Sequence, residues 1–141
     1  TKENQSFEIG KANILKVGND VSIFATGHLV WEALEAQKIL KEEGISAEII
    51  NIHTIKPLDE KSILKSVMKT KCVVTAEEHM MAGGLGDSII QYLSRNFPVP
   101  VEMIAVQDTF GESGKPSELM IKYGLTKNDI VNSSKKVINR K

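Results

Sequence analysis

A chain of 141 residues is long enough for one domain with a real core and too short for two. Its 18 Lys and Arg balance 18 Asp and Glu, so the formal charge is zero and neither nucleic acid nor an anionic membrane is an expected partner. The lone cysteine, Cys72, rules out an internal disulfide, and no apolar run approaches the roughly 20 residues of a membrane span. The polar start Thr1-Lys2-Glu3-Asn4-Gln5-Ser6 is no signal peptide and reads as a connector. The expectation is a cytoplasmic protein in which residues 1–8 link an upstream domain to a domain over residues 9–141.

Lys11 to Val17 gives a first short strand, and the turn cluster Gly18-Asn19-Asp20 leads into a second, more buried strand from Val21 to Thr26. Gly27-His28 makes a tight strand-to-helix turn. In the following helix Leu29, Ala33, Ala36 and Leu40 form one apolar face, and Gly44 stops it. Ile45 to Ile52 is the next strand. Thr54-Ile55-Lys56-Pro57-Leu58 is an irregular edge, after which Asp59 caps a helix with Ile63, Leu64, Val67 and Met68 on its inner stripe.

Cys72-Val73-Val74-Thr75 has the length and β-branched content of a buried strand, with Cys72 as a small core residue. Leu85, Ile89, Leu93 and Phe97 recur at helical spacing, so Gly83, Gly84 and Gly86 lie at a strand-to-helix turn. In an open parallel sheet such turns sit at the carboxyl edge, where ligands and partner subunits meet the fold. After the Pro98-Val99-Pro100 break, Val101 to Val106 forms the last strand and Gln107 to Lys115 a loop. Pro116 suits the start of a short helix ending at Gly124, and Thr126 with Asp129 resembles a capping box for the final helix. Strands separated by helices call for right-handed crossovers and a mostly parallel sheet covered on both faces.

Several constellations invite a chemical reading. The glycine turn could offer backbone N–H groups to an anion, although Asp87 opposes a phosphate and the spacing is not the dinucleotide fingerprint. Glu77 and Glu78 point to opposite sides of an extended segment, so they do not form an acid and base couple, and one of them is expected to be buried and paired. His28, His53 and His79 each follow a strand, yet none has a partner at ligand spacing, and loop or interface roles fit better than zinc. Ser113-Gly114-Lys115 has no neighbouring base to activate a nucleophile. Met80 and Met81 suggest a partner interface.

Three stretches then carry a family resemblance. Thr54-Ile55-Lys56-Pro57-Leu58-Asp59, Glu77-Glu78-His79 with Gly83-Gly84-Leu85-Gly86, and Ser113-Gly114-Lys115-Pro116-Ser117-Glu118-Leu119 resemble, in order, signature stretches of the transketolase C-terminal domain. The first two are shared with deoxyxylulose-phosphate synthases and 2-oxo-acid dehydrogenase β subunits. The third is closer to transketolase, especially the shorter type found in animals and in split two-subunit bacterial forms. The resemblance implies a three-layer α/β/α sandwich with a mixed, mostly parallel five-stranded sheet, its first strand running against the others.

It also implies a function and its limits. The complete enzyme would transfer a two-carbon ketol unit between sugar phosphates, using thiamine diphosphate and a divalent cation, Mg or Ca, held by pyrophosphate-binding and pyrimidine-binding domains across a homodimer interface. This domain would support assembly and carry no catalytic, cofactor-binding or metal residue. Its candidate interface and loop residues are Glu77, Glu78, His79, Gly83, Gly84, Gly86, Ser113 and Lys115. The alternatives are a third domain of a 2-oxo-acid dehydrogenase β subunit or deoxyxylulose-phosphate synthase, a free-standing adaptor, and a nucleotide-binding domain.

Overall fold

A computed structural model describes residues 11–53, 57–80, 84–106 and 125–141. Along the chain follow Asn13–Lys16 (β1), Val21–Ala25 (β2), Leu29–Glu42 (α1), Ala47–Asn51 (β3) and Glu60–Thr70 (α2). Val73–Met80 (β4), Leu85–Asn96 (α3), Val101–Val106 (β5) and Lys127–Ile138 (α4) complete the described elements. The strands form one sheet in the order β1-β3-β2-β4-β5, with β1 antiparallel to β3 and every other pair parallel. The expected mixed sheet with a reversed first strand is present.

Successive strand residues face opposite sides of a sheet, and that alternation divides the core in two. Val21, Ile23 and Ala25 of β2, with Val74 and Ala76 of β4, join Leu29, Ala33, Ala36 and Leu40 of α1 and Ile130 of α4. Phe24, Ile50 and Val73 project the other way and join Ile63 and Val67 of α2 and Leu85, Ile89 and Leu93 of α3. The layers are therefore α1 with α4, the sheet, and α2 with α3. β2 is buried at all of its positions, as a central parallel strand covered on both faces must be.

Two expectations need correction. β4 does not stop at Thr75: it pairs with β5 through Ala76 and Ile104 and, after a register shift, through Met80 and Val106. Glu77, Glu78 and His79 thus lie on a strand rather than in a loop. On α2 the expected inner residue Met68 is 54% exposed, while Ser66 and Thr70 turn inward. The cause is Ser22 on β2, whose buried Oγ needs partners and lies 2.6 Å from Ser66 Oγ and 2.5 Å from Thr70 Oγ1.

Beside that trio, at the amino edge of the sheet, Glu48 is 1% exposed and its Oε1 accepts from Lys69 Nζ at 2.5 Å and Gly18 N at 3.1 Å. Burial pushes the Glu48 carboxyl up, but hydrogen bonds from Lys69, Ser66 and Gly18, with the Lys69 charge, outweigh it and hold the group below its ordinary range. Cys72 is a core residue whose Sγ–H donates to Asp20 O at 3.2 Å. Burial pushes its thiol up to about 11, with Lys141 lowering it and Asp20 raising it by less. Asp59 caps α2 as expected, with Oδ1 accepting from Ser62 N at 3.2 Å.

Residues 107–124, including the expected short helix after Pro116, and residues 54–56 lie outside the described residues. Among the described residues no helix is long and apolar enough to cross a membrane.

Candidate functional site

The strand order places β2 beside β4 but sends their connections apart. β2 continues through α1 to β3 on one side, and β4 continues through α3 to β5 on the other. Their carboxyl ends therefore flank a topological switch point, the crevice where open α/β sheets hold ligands. α1 and α3 leave it on opposite faces, and the N–H groups at a helix start need acceptors from outside the regular helix; in α1 those of Leu29, Val30 and Trp31 find the carbonyls of Thr26, Gly27 and His28.

Neither helix start has a capping side chain of its own. Gly84, at the N-cap of α3, has none to offer, and His28, at the N-cap of α1, makes no side-chain cap bond. Two adjacent carboxylates from β4 supply what is missing. Glu77 is fully buried, and its Oε1 accepts from Leu85 N and its Oε2 from Gly86 N, each at 2.7 Å. These are short charge-assisted bonds at the positive end of the α3 dipole. Glu78, exposed on the other face, crosses the crevice to accept from His28 N at 3.2 Å. Gly27, with φ 55°, makes the turn between β2 and α1 possible.

Close packing sharpens the α3 side. A Cβ at Gly86 would stand 2.8 Å from Thr75 Oγ1 and 3.1 Å from Met103 Cε, so glycine is required where the helix meets β4 and β5. Thr75 is 1% exposed and its Oγ1 has no hydrogen-bond partner among the described residues. Thr75 and Gly86 were not legible as one site in the sequence, although Thr75 and Glu77 are two apart on a strand and so share a face.

Of the candidate residues, the structure brings Glu77, Glu78, Gly84 and Gly86 to this edge. His79 lies near the end of β4, and its side chain is not among those described. Gly83, Ser113 and Lys115 fall outside the described residues. The expectation that the two glutamates face opposite ways, one of them buried and paired, is met. The anion-site reading of the glycine turn gives way, because Glu77 already holds the N–H groups of Leu85 and Gly86.

That occupancy decides the fit to a diphosphate cofactor. Among the described residues, the N–H groups of Leu85, Gly86 and His28 are bonded to carboxylates and those of Leu29, Val30 and Trp31 to backbone carbonyls, and Glu77, Glu78 and Asp87 place negative charge at the same edge. These residues do not fit thiamine diphosphate, and no chemical step is assigned to them. Among the described residues no group of three His, Cys, Asp or Glu side chains could hold a metal ion.

The family model of the transketolase C-terminal domain matches residues 10–130. The chain belongs to that family. It is 48% identical over 139 residues to the 6-deoxy-6-sulfo-D-fructose transketolase subunit of Clostridium sp. (strain MSTE9), covering 99% of this chain and 43% of that protein. It is 38% identical over 140 residues to an apulose-4-phosphate transketolase subunit of Phocaeicola vulgatus, covering 98% of this chain and 45% of that protein. A solved structure described as a split gene transketolase, inactive beta4 tetramer, superimposes with a TM-score of 0.94 at 42% identity, over 99% of this chain and 46% of that one. The transketolase C-terminal domain seen here thus spans less than half the length of each of these proteins.

Proposed function

We propose that this transketolase C-terminal domain serves assembly, its carboxyl edge packing against the pyrimidine-binding domain or a second subunit of a split-type transketolase. The complete enzyme would move a two-carbon ketol unit from a ketose phosphate to an aldose phosphate in the cytoplasm, as a homodimer. Thiamine diphosphate and a divalent cation, Mg or Ca, would be held by its other domains, where the cofactor supplies the carbanion chemistry. Glu78, His79, Gly83, Gly84 and Gly86 are the proposed contact residues, with Ser113 and Lys115 as further loop candidates.

One observation carries this reading: at the switch point, where such folds hold small ligands, the first N–H groups of α3 are bonded to Glu77, the N-cap N–H of α1 to Glu78, and the N–H groups of Leu29, Val30 and Trp31 to backbone carbonyls. The names of the relatives, transketolase subunits acting on different sugars, favour ketol transfer and leave the sugar at the level of a class.

The test has two arms. Glu78→Lys in the complete subunit is expected to weaken association with the partner by about tenfold or more, since like-charge or unpaired groups at a docking face cost from about 1.4 kcal/mol upward. Sedimentation velocity unchanged by the substitution would refute the assignment of this edge. Calorimetry on the isolated chain is expected to show no saturable thiamine diphosphate binding; a saturable isotherm would place cofactor contacts on this domain after all.

A further inference from the structure

We infer that Glu77 is a positioning residue: its buried carboxylate acts as a built-in anion that fixes the start of α3, and with it Gly84 and Gly86 on the proposed docking edge. The inference rests on the assembly reading above but is argued from separate contacts. Both carboxylate oxygens are used, each on a different backbone N–H of the first helical turn, at 2.7 Å. Two bonds to one rigid planar group fix direction as well as distance, which a single cap bond does not.

Neither glycine at the start of α3 can take over. Gly84 brings no side chain to the N-cap, and Gly86 has no space for one against Thr75 Oγ1 and Met103. Thr75 Oγ1 is buried, has no hydrogen-bond partner among the described residues, and lies 2.8 Å from where a Cβ at Gly86 would stand. Without the carboxylate, the buried Leu85 and Gly86 N–H groups would be left as convergent donors around a pocket the size of the lost side chain. Such a pocket is built to take back a small carboxylate.

The experiment uses the complete subunit with its partner and three variants: Glu77→Ala, Glu77→Gln and Glu77→Asp. Glu77→Ala is expected to lose about tenfold or more in association, consistent with the loss of charge-assisted bonds, and to regain much of it in formate but not in chloride at equal ionic strength. Glu77→Gln keeps the volume but turns a donor toward a donor, so it is expected to lose association and gain nothing from formate. Glu77→Asp, which keeps the charge, is the fallback where the alanine variant does not fold, and is expected to retain more association than Glu77→Gln.

Formate rescue separates positioning from a loss of packing, which no small anion repairs. Folded Glu77→Ala and Glu77→Gln proteins that associate like the parent would overturn the inference, as would a folded Glu77→Ala protein that formate leaves unchanged. A parent subunit that does not associate at all would overturn the assembly reading instead. Amide exchange at Leu85 and Gly86 would then judge Glu77 alone: protection in the parent and its loss in Glu77→Gln support the role, and equal rates refute it.

Discussion

Gly86 and Glu48 show how much a single position can carry. A methyl group at Gly86 would meet Thr75 Oγ1 at 2.8 Å and Met103 Cγ at 3.2 Å, and Thr75 belongs to a strand that is paired on both edges. Gly86→Ala is therefore expected to destabilise by about 1–3 kcal/mol, the range for overpacked sites, and urea unfolding measures it. Glu48 predicts a pH signature. Its folded carboxyl titrates below the unfolded value of 4.5, so its stabilisation is fully present above that pH and is lost as pH falls through the folded value. Glu48→Gln should cost about 1–3 kcal/mol near neutral pH, the range for leaving a buried donor unmatched, and the gap to the parent should close with acidification below 4.5. Cys72, with its thiol raised to about 11 and its side chain in the core, is expected to resist thiol reagents until the protein is unfolded, which a timed labelling assay reads directly.

At the level of elements, capping decides where helices begin. Asp59 Oδ1 and Oδ2 accept from Ser62 N and Ser62 Oγ, and Oδ2 also accepts from Ala12 N at 2.8 Å, which ties the start of α2 to the approach to β1. Asp59→Ala is expected to cost about 1–2 kcal/mol, at the upper part of the usual range for a lost cap, because two elements lose their anchor. Thermal unfolding reports the loss. Asp59 and the Thr126–Asp129 box were legible because capping follows local spacing, and the latter appears as Asp129 Oδ2 accepting from Thr126 N at 2.9 Å and Thr126 Oγ1 at 2.6 Å. The periodicity of α1 and α3 was legible for the same reason. The full length of β4 was not, since polar residues extend a strand only when a neighbour pairs with them, and β5 does so through Val106. Nor was the inward turn of Ser66 and Thr70, which answers to Ser22, more than 40 residues earlier. The site divides the same way. The opposed glutamates follow from strand alternation, whereas the capture of α3 by Glu77 depends on where the start of α3 lies against β4 in three dimensions.

Across the whole molecule, the reversed first strand sets where the chain comes in and goes out. Asn13 of β1 pairs with Asn51, the last residue of β3, so the chain arrives at the carboxyl edge. α4 runs back, and Arg140 donates to Val101 O at 3.1 Å and to Glu102 Oε2 at 2.5 Å, at the start of β5, on the opposite edge. A bulky fusion after Lys141 is expected to leave association with the partner unchanged, while the same fusion partner inserted just before Ala12 should reduce it by about tenfold or more, as blocked geometry abolishes an otherwise favoured contact. Equal effects from both positions, measured by sedimentation, would count against the carboxyl edge.

The reversed strand thereby acts as a tether. A body joined ahead of β1 would be held close to the edge that carries Glu77, Glu78 and His28, and its local concentration there would be set by the connecting length rather than by the solution. Even weak complementarity at that face then suffices within one chain, and a partner supplied as a separate polypeptide must bind through its own contacts. In a subunit that carries the proposed upstream domain, cutting the chain ahead of Ala12 would turn the proposed intramolecular contact into a bimolecular one without altering an atom of the interface.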